Sequence, residues 1–364
     1  MTRESAEVVI VGGGALGTSV AYHLTGLGVT DVALLERDQL GSGSTGKSAG
    51  GFRLQFADEL NVRIALRSIA ELERLEDIGF RQVGYLFLLD SKADLAEFRA
   101  ALALQQSLGV PSRELSVDEA VALVPQLSAE GLVGATFCPL DGYASPESVV
   151  QAYAQAAAAR GVRIRQGEPV TAIRRRGGAI EAVETPARRI ATGTVVCAAG
   201  AWSGEVAALA GVELPVEGEP RWMHYSPESG GLAGDTPLTI DFATGFYFHR
   251  EGPGLVFGGR EQTLEELAEP AARRLPLVAD LPIQASWWGY YEQSPDHNAI
   301  VGETAEPSRF LYGTGFSGHG FQQTPAVGEH LAQLVAGDGP TLDLSPFSLD
   351  RFRLGTLREE RFVV

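Results

Sequence analysis

Apolar and polar residues near the start of the chain follow the order strand, turn, helix, strand. Residues Val8–Val11 are all apolar, which is typical of a buried strand. Glycines follow with the spacing G-x-G-x-x-G, and residues 15–27 are predicted to form a helix. A second apolar run, Val32–Leu35, predicts the next strand. This order predicts a βαβ unit, the core of a dinucleotide-binding fold.

The same patterning predicts the elements of the remaining chain. Helices are expected at residues 58–77, 94–108, 145–160 and 326–336, and a capping box at Ser116 opens another short helix. Strands are expected at residues 83–89 and 132–138, whereas those at 162–165, 170–174 and 180–184 suit a small antiparallel meander. The stretch from 215 to 282 is rich in strand patterns, at 238–242, 245–250 and 255–259.

The glycine motif has the chemistry of a phosphate site. Gly12 permits the tight turn, Gly14 lets a pyrophosphate approach the backbone, and Gly17 lets the helix pack closely on the sheet. The helix N-terminus adds free N–H groups and the positive end of its dipole. Glu36, about 20 residues after the last glycine, is placed to accept hydrogen bonds from ribose hydroxyls. The alternative is a glycine-rich turn with no ligand, and the motif alone does not separate NAD from FAD.

Composition narrows the class of protein. The chain has 364 residues, of which 45% are hydrophobic, and a net charge of −17, which argues against nucleic acid or an anionic membrane surface as a partner. Two cysteines, Cys138 and Cys197, lie in apolar surroundings without a C-x-x-C motif, which suits a reducing compartment. No spacing typical of metal ligands, no signal-peptide apolar region and no apolar run of membrane-spanning length is present. We expect a cytoplasmic protein.

The order of the elements favours FAD over a nicotinamide cofactor. A nicotinamide dehydrogenase usually continues directly with further βαβ units, but here strands of the nucleotide-binding kind return only near residues 194 and 310, each ending in a glycine turn. We therefore expect an α/β fold in which a Rossmann-like FAD-binding domain carries an inserted substrate domain built on an antiparallel sheet (α+β). The predicted segments are 1–82, 145–214 and 290–364 for the first domain, and 83–144 and 215–289 for the second.

Several motifs spread along the chain carry a family resemblance. They are VVIVGGGALGTSVAYHL, LLERDQLGSGSTGKSAGGFR, VVCAAGAWS, GFYFHREGPGL, GYYEQSPDHNAIVGE and GTGFSGHGFQQTPAVGEHLA. Together they resemble the D-amino acid oxidase / sarcosine oxidase superfamily of FAD-dependent oxidoreductases. The sequence is most similar to the branch of the sarcosine oxidase beta-subunit and sarcosine dehydrogenase. The resemblance runs from residue 8 to about residue 332.

The resemblance implies a substrate pocket for an amino acid. Arg53 would bind the substrate carboxylate, which suits a guanidinium because its planar fork matches a carboxylate. Tyr247 and Tyr291 would close over the substrate, and His319 would contact the flavin. A solvated surface arginine and core aromatic residues are the alternatives for these positions. The aromatic run 287–291 can likewise be interpreted either as core packing or as a wall of the pocket.

The resemblance also implies FAD contacts along much of the chain. We expect them at Gly12, Gly14, Ala15, Leu16, Gly17, Glu36, Arg37, Ser44, Thr45, Lys47, Ser48, Ala49, Gly50, Val170, Ala199, Gly200, Trp202, Gly289, Gly315, Gly318, His319, Gly320, Phe321 and Gln322.

Departures from the family pattern bear on the chemistry. Monomeric sarcosine oxidases hold FAD through a cysteine that this chain lacks, and Lys47 stands where other members carry a flavin-linked histidine, so non-covalent FAD is expected. Gln322 replaces a lysine that helps to bind the carboxylate. Members of the family also carry a lysine near the flavin that promotes reaction with O₂. In this chain Val256 occupies the matching position, and Arg260 is the nearby basic candidate.

These observations predict FAD-dependent oxidation of an amino acid, and a secondary amino acid of the sarcosine or proline kind is favoured over a primary one. Hydride transfer from Cα to flavin N5 would give an imine. A dehydrogenase that uses another electron acceptor is favoured over an oxidase, but O₂ stays open as the acceptor. The alternatives are an oxidase acting on a primary amino acid such as glycine, a nicotinamide enzyme, and a flavin-binding subunit or assembly factor without turnover. Partner subunits are possible for this branch.

Overall fold

The computed structural model describes residues 2–261 and 263–363. Its strands are, in chain order, β1 (Thr2–Ser5), β2 (Val8–Val11), β3 (Val32–Leu35), β4 (Gly51–Phe52), β5 (Tyr85–Leu89), β6 (Arg113–Leu115), β7 (Gly134–Cys138), β8 (Gly142–Tyr143), β9 (Arg163–Arg165), β10 (Ala172–Arg176), β11 (Ala179–Glu184), β12 (Arg188–Ala191), β13 (Thr194–Cys197), β14 (Glu217–Ser226), β15 (Leu238–Asp241), β16 (Tyr247–Glu251), β17 (Gly254–Gly258), β18 (Ala285–Gln293), β19 (Ile300–Glu303) and β20 (Phe310–Thr314).

The α-helices are α1 (Ala15–Gly26), α2 (Glu59–Leu72), α3 (Lys92–Ser107), α4 (Val117–Leu123), α5 (Pro146–Ala159), α6 (Ser203–Leu209), α7 (Leu264–Arg274), α8 (Gly320–Ala336) and α9 (Asp350–Leu354). Short 3₁₀ turns lie at Thr45–Lys47, Gly200–Trp202, Pro276–Asp280 and Ser345–Phe347. Within the described residues, no helix has both the length and the apolar character needed to cross a bilayer.

A six-stranded sheet in the order β19-β20-β13-β2-β3-β9 holds the glycine motif. Its strands are parallel except β19, which runs antiparallel to β20. Both faces are covered, which explains why β2 is apolar throughout rather than alternating. Val8 and Ile10 pack against α1 and α8 on one face. Val9 and Val11 pack on the other face, against strands β10–β12 and helix α6.

A second sheet of eight strands has the order β18-β14-β17-β16-β15-β5-β7-β6 and is antiparallel except where β5 lies parallel to β15. Side chains alternate between its faces. Phe248 and Phe257 point to a core with α4 and α7. Tyr247 and Ile240 lie on the opposite face, which turns toward the first sheet. The structure thus confirms the α/β class, with a Rossmann-like sheet and a largely antiparallel second sheet.

The predicted meander is correct in part. β10 and β11 pair antiparallel as expected, joined by β12 and β1, which the sequence did not reveal. The strand expected at 162–165 does not belong to this meander: β9 lies parallel to β3 at the edge of the first sheet. A short strand pattern does not indicate its partner, and here α5 returns the chain to the edge of the six-stranded sheet.

Three helix predictions require correction. α2 ends at Leu72 instead of residue 77, because the chain turns and Asp77 adopts a φ of 56°. α7 was missed inside the strand-rich stretch, although Thr263 caps it. α8 begins at Gly320 and not at residue 326, because Pro325 does not interrupt it. A proline cannot donate to the carbonyl four residues earlier, and the Thr324 hydroxyl instead donates to the carbonyl of Phe321 at 2.9 Å.

Candidate active site

One cavity of about 680 Å³ runs from the glycine turn of the six-stranded sheet to the inner face of the eight-stranded sheet. Its volume falls in the range typical of ligand and cofactor sites. The carboxyl ends of β2, β3 and β13 open into one end of the cavity, where open α/β sheets bind nucleotides. The other end is walled by β14, β16 and β18.

The glycine turn can adopt this conformation only because Gly12 and Gly17 lack side chains. Gly12 has a φ of +113°, and a Cβ there would lie 2.2 Å from the carbonyl oxygen of Ala198. A Cβ on Gly17 would lie 1.9 Å from the carbonyl oxygen of Gly12, so this glycine allows α1 to approach the turn. Gly14 faces the cavity and is the N-cap of α1 without a side-chain cap. Apart from the N–H of Ala15, which donates to the Thr45 hydroxyl, the N-terminal amides of this helix are therefore available to a phosphate.

Glu36 lies directly after β3 and closes this end of the cavity. Its carboxylate accepts hydrogen bonds from the backbone N–H of Gly13 at 2.7 Å and of Asp38 at 2.8 Å. Two further polar groups line the same end. The Thr45 hydroxyl accepts from the N–H of Ala15 at 3.2 Å, and the buried Ser44 hydroxyl has no partner within the described residues. The carboxylate can accept from ribose hydroxyls, and the hydroxyls and remaining amides can donate to pyrophosphate oxygens, so this end suits both groups.

The cavity lining contains most of the predicted cofactor residues. These are Gly12, Gly14, Ala15, Leu16, Glu36, Arg37, Ser44, Thr45, Lys47, Ser48, Ala49, Gly50, Val170, Ala199, Gly200, Trp202, Gly289, Gly318, His319, Gly320, Phe321 and Gln322. Gly17 and Gly315 are not in it. Gly17 supports the turn from beneath, and Gly315, with a φ of +70°, packs against Ile300 and Ser294.

The far end of the cavity is a wall of tyrosines on the eight-stranded sheet. Tyr85 and Tyr247 lie on its inner face, where Tyr85 is buried and Tyr247 is half-buried. Gly258, on the strand next to Tyr247, makes room for that phenol, since a Cβ there would lie 2.7 Å from Tyr247 Oη. Tyr291 packs its ring against Gly318 in the turn before α8. The structure thus brings both predicted pocket tyrosines to one cavity.

Arg53 also lines the cavity, but its guanidinium is engaged by the protein. Nη1 donates to the carbonyl of Gln55, and Nη2 donates to the carbonyl of Phe362 and approaches His319 Nε2 at 2.9 Å. The side chain lies over the Phe56 ring at 4.1 Å and is only 3% exposed. Burial lowers the pKa of Arg53, and the carboxylate of Glu360 partly offsets this. Its role as a carboxylate ligand stays a prediction.

Gln322 and the 356–363 tail hold the Arg53 segment. Gln322 Oε1 accepts from the backbone N–H of Arg53 at 2.6 Å. In the tail, Phe362 stacks on Phe98 with ring centroids 3.9 Å apart. Glu360 is fully buried and accepts from the N–H of Ala57 and Asp58 and from Asn61 Nδ2. These contacts were not predicted, because no motif links the tail to residues 300 positions earlier.

The basic residue predicted near the flavin is not brought to the cavity. Arg260 is exposed and donates to the carbonyls of Phe242 and Val363, so the structure places it at the surface. Val256 is buried in β17 and also lies outside the cavity lining. Lys47 is the lysine in the lining, with Nζ 5.2 Å from the centroid of the Trp288 ring.

Two polar residues of the cavity were missed in the sequence. Glu292 is half-buried, and desolvation raises its pKa to about 7, although it accepts from the Thr314 hydroxyl at 2.8 Å. Arg221 lies on β14 beside Tyr291, with its guanidinium carbon 5.2 Å from the ring centroid. Alternation along β14 indicates which residues share a face, but the sheet partner that puts this face in the cavity is set by the fold.

Comparison with known proteins identifies the family. The FAD dependent oxidoreductase family (DAO) matches residues 7–334, and the chain belongs to it. The bovine FAD-dependent oxidoreductase domain-containing protein 1 is 32% identical over 99% of this chain and 87% of that protein. Human mitochondrial sarcosine dehydrogenase is 29% identical over 99% of this chain, which spans only 43% of that longer protein.

Among solved structures, L-proline dehydrogenase from P. horikoshii superposes with a TM-score of 0.91 and 31% identity. The match covers 98% of this chain and 100% of that one. These relatives confirm the resemblance to the sarcosine dehydrogenase branch. Family membership makes the protein FAD-dependent, and the residues fit that cofactor. The glycine cradle, Glu36 and the unpartnered Ser44 hydroxyl lie in one cavity that is continuous with the tyrosine wall.

Proposed function

We propose that this protein is an FAD-dependent dehydrogenase of a secondary amino acid of the proline or sarcosine kind. Bound in the cavity, FAD would supply a hydride acceptor at N5 for the hydrogen on the substrate Cα, and the amine nitrogen would release a proton to water, leaving an imine. The observation that carries the proposal is the continuous cavity that joins the dinucleotide cradle to a pocket lined by tyrosines and arginines.

The chain's own residues bind and orient the substrate. Tyr247 and Tyr291 enclose it and exclude water, which strengthens electrostatic contacts in the pocket. Burial holds the pKa values of both phenols above their usual range, so both stay neutral and can only donate or accept hydrogen bonds. The substrate must arrive with a neutral amine, and its carboxylate is recognised by a guanidinium. The names of the proline and sarcosine dehydrogenase relatives favour a secondary amine.

The preference for a dehydrogenase is also a proposal. A cation next to the flavin favours reaction with O₂, because it stabilises the developing superoxide charge. At the position where the family resemblance implies an O₂-promoting lysine this chain has the uncharged Val256, and the nearby Arg260 lies at the surface. Non-covalent FAD is supported by the two cysteines, which are buried outside the cavity lining.

Turnover with two acceptors tests the proposal. Purified FAD-loaded protein is assayed with proline, sarcosine, N-methyl amino acids and glycine, first with O₂ and then with an artificial dye. We expect turnover of a secondary amino acid with the dye and little peroxide with O₂. Peroxide at the same rate would assign an oxidase. A flavoprotein that turns over no amino acid with either acceptor would support a subunit without its own activity.

A further inference from the structure

The arginine of β14 has a feature that the other pocket arginine lacks. Arg221 Nη1 is held by Glu219 at 2.7 Å and donates to the carbonyl of Pro220 at 3.2 Å. Its Nε is fully buried and has no hydrogen-bond partner within the described residues, and neither has Nη2. The Nε and Nη2 atoms form one edge of the guanidinium, and no described residue accepts from this edge, of which Nε is the buried and unsatisfied donor. Buried donors are normally paired, and an exception calls for a ligand or a functional reason.

This chain uses the same edge elsewhere to hold carboxylates. Arg67 binds Glu329 through Nε and Nη2 at 2.8 and 2.6 Å. Arg351 binds Asp296 through the same two atoms, both at 2.8 Å. The bidentate contact is the strong mode of guanidinium–carboxylate recognition. The edge that these arginines fill with a protein carboxylate is the one that Arg221 leaves free.

The position of Arg221 links the free edge to the substrate end of the cavity. Other described arginines have a buried Nε without a partner, but of these only Arg221 lines the cavity. On the neighbouring strand it faces Gly289, and the side chain of Lys47 packs over that glycine, since a Cβ on Gly289 would lie 3.0 Å from Lys47 Cβ. Its guanidinium lies over Tyr291, and Met223 continues the same face toward Tyr247.

Glu219 does not cancel the attraction for a ligand. Its side chain is 42% exposed, so water screens its charge, whereas the Nε edge of Arg221 is buried. Glu219 and the Pro220 carbonyl instead fix the guanidinium from the outer side. A group fixed in this way loses little freedom when it binds a ligand.

We infer that Arg221, through its Nε and Nη2 atoms, binds the carboxylate of the amino acid substrate. The inference rests on the proposed function and names the residue that selects carboxylates at that site. Arg53, whose Nη atoms already donate to Gln55, Phe362 and His319, then holds the pocket wall together instead of binding the substrate.

The test uses a ligand that cannot be oxidised as a proline. Pyrrole-2-carboxylate and its neutral counterpart pyrrole-2-carboxamide are titrated calorimetrically into FAD-loaded wild type, Arg221→Gln and Arg113→Gln. Arg113 is an exposed arginine of the same sheet outside the cavity, which makes it the matched control. We expect Arg221→Gln to weaken carboxylate binding on the order of 10- to 100-fold and to leave carboxamide binding unchanged. Arg113→Gln binds as wild type does.

Other outcomes separate this inference from the proposed function. Equal carboxylate affinity in wild type and Arg221→Gln, with amino acid turnover intact in wild type, overturns the role of Arg221 alone. A wild type that binds neither ligand and oxidises no amino acid overturns the proposed function. If Arg221→Gln fails to fold, Arg221→Lys decides, because lysine keeps the charge without the planar fork. We expect several-fold weaker carboxylate binding in Arg221→Lys, and unchanged affinity overturns the inference.

Discussion

Arg53 Nη2 lies 2.9 Å from His319 Nε2, deep between the two sheets. A guanidinium is always protonated and can only donate, so His319 accepts at Nε2 and is neutral. Burial lowers the pKa of His319 well below its usual value, and the nearby charge of Arg53 lowers it further. The histidine of the GFSGHGF motif therefore serves as a neutral acceptor beside the flavin site, and it does not act as an acid in the neutral pH range.

The neutral histidine makes stability depend on pH. Below about pH 6.5 His319 is protonated in the unfolded chain but stays neutral in the folded chain, where its pKa is lowered. The free energy of unfolding therefore falls as pH decreases. Between pH 6.5 and 5 this group contributes a loss of up to about 2 kcal/mol. His319→Gln can place an amide oxygen near the Nε2 position as an acceptor for Arg53 but cannot titrate. Urea unfolding of FAD-free protein should show a smaller loss from pH 7.5 to 5 in the variant, and parallel losses would refute the neutral histidine.

Two glycines of α1 form a matched pair. Gly17→Ala places a Cβ 1.9 Å from the Gly12 carbonyl oxygen, so the helix must move away from the turn. We expect a loss of about 1–3 kcal/mol of stability and little retained FAD. Gly26→Ala meets nothing within 4 Å, and we expect it to keep FAD and to gain up to about 1 kcal/mol. Urea unfolding and the ratio of flavin to protein absorbance measure both, and normal FAD content in Gly17→Ala would contradict the packing argument.

Removal of the Glu36 carboxylate should weaken FAD binding. The carboxylate orders the turn through Gly13 N–H and Asp38 N–H and faces the ribose end of the cavity. Charged hydrogen bonds contribute about 1.5–3 kcal/mol, so Glu36→Gln is expected to raise the FAD dissociation constant roughly 10- to 100-fold. Fluorescence titration of the FAD-free protein measures it. Glu59→Gln, at the exposed start of α2, is the control, and equal FAD affinity in both variants would mean that the ribose is held by other groups.

The 356–363 tail is expected to stabilise the pocket wall through Phe362. Phe362→Ala removes a buried ring stacked on Phe98, which lowers the free energy of unfolding by about 3 kcal/mol. The hydrogen bond from Arg53 to the carbonyl of residue 362 is also expected to be lost. Because the tail is then held less firmly, protease cleavage near residues 355–361 should accelerate. Leu357, 55% exposed in the same segment, gives the matched control Leu357→Ala with little change. Equal free energies of unfolding and equal cleavage rates in the two variants would show that Phe362 does not stabilise the pocket wall.

Local chemistry explains which parts of the fold could be predicted. The glycine motif, Ser116 and the Ser145-Pro146 helix start each act within a few residues, and the structure contains the turn, the capping box and the helix that they predict. The helix start predicted at residue 326 is wrong, because α8 continues through Pro325 back to Gly320, with the Thr324 hydroxyl donating to the Phe321 carbonyl, which a pattern of apolar positions does not show.

The substrate end of the site depends on contacts between distant segments. Arg53 meets His319 and Phe362 across more than 260 residues, and Arg221 enters the cavity only because β14 pairs with β18 and β17. The family resemblance pointed to Tyr247, Tyr291 and His319, which the structure brings together. It gave no sign of Arg221 or of the tail, because neither lies in the motifs that carry the resemblance.

The anaerobic visible spectrum of the flavin tests the central claim most directly. Purified FAD-loaded protein is mixed without oxygen with proline, sarcosine, glycine and their neutral amides, and the flavin band is followed. The account predicts that a secondary amino acid bleaches the band and that its amide does not. A yellow protein that no amino acid bleaches would contradict the assignment of an amino acid dehydrogenase.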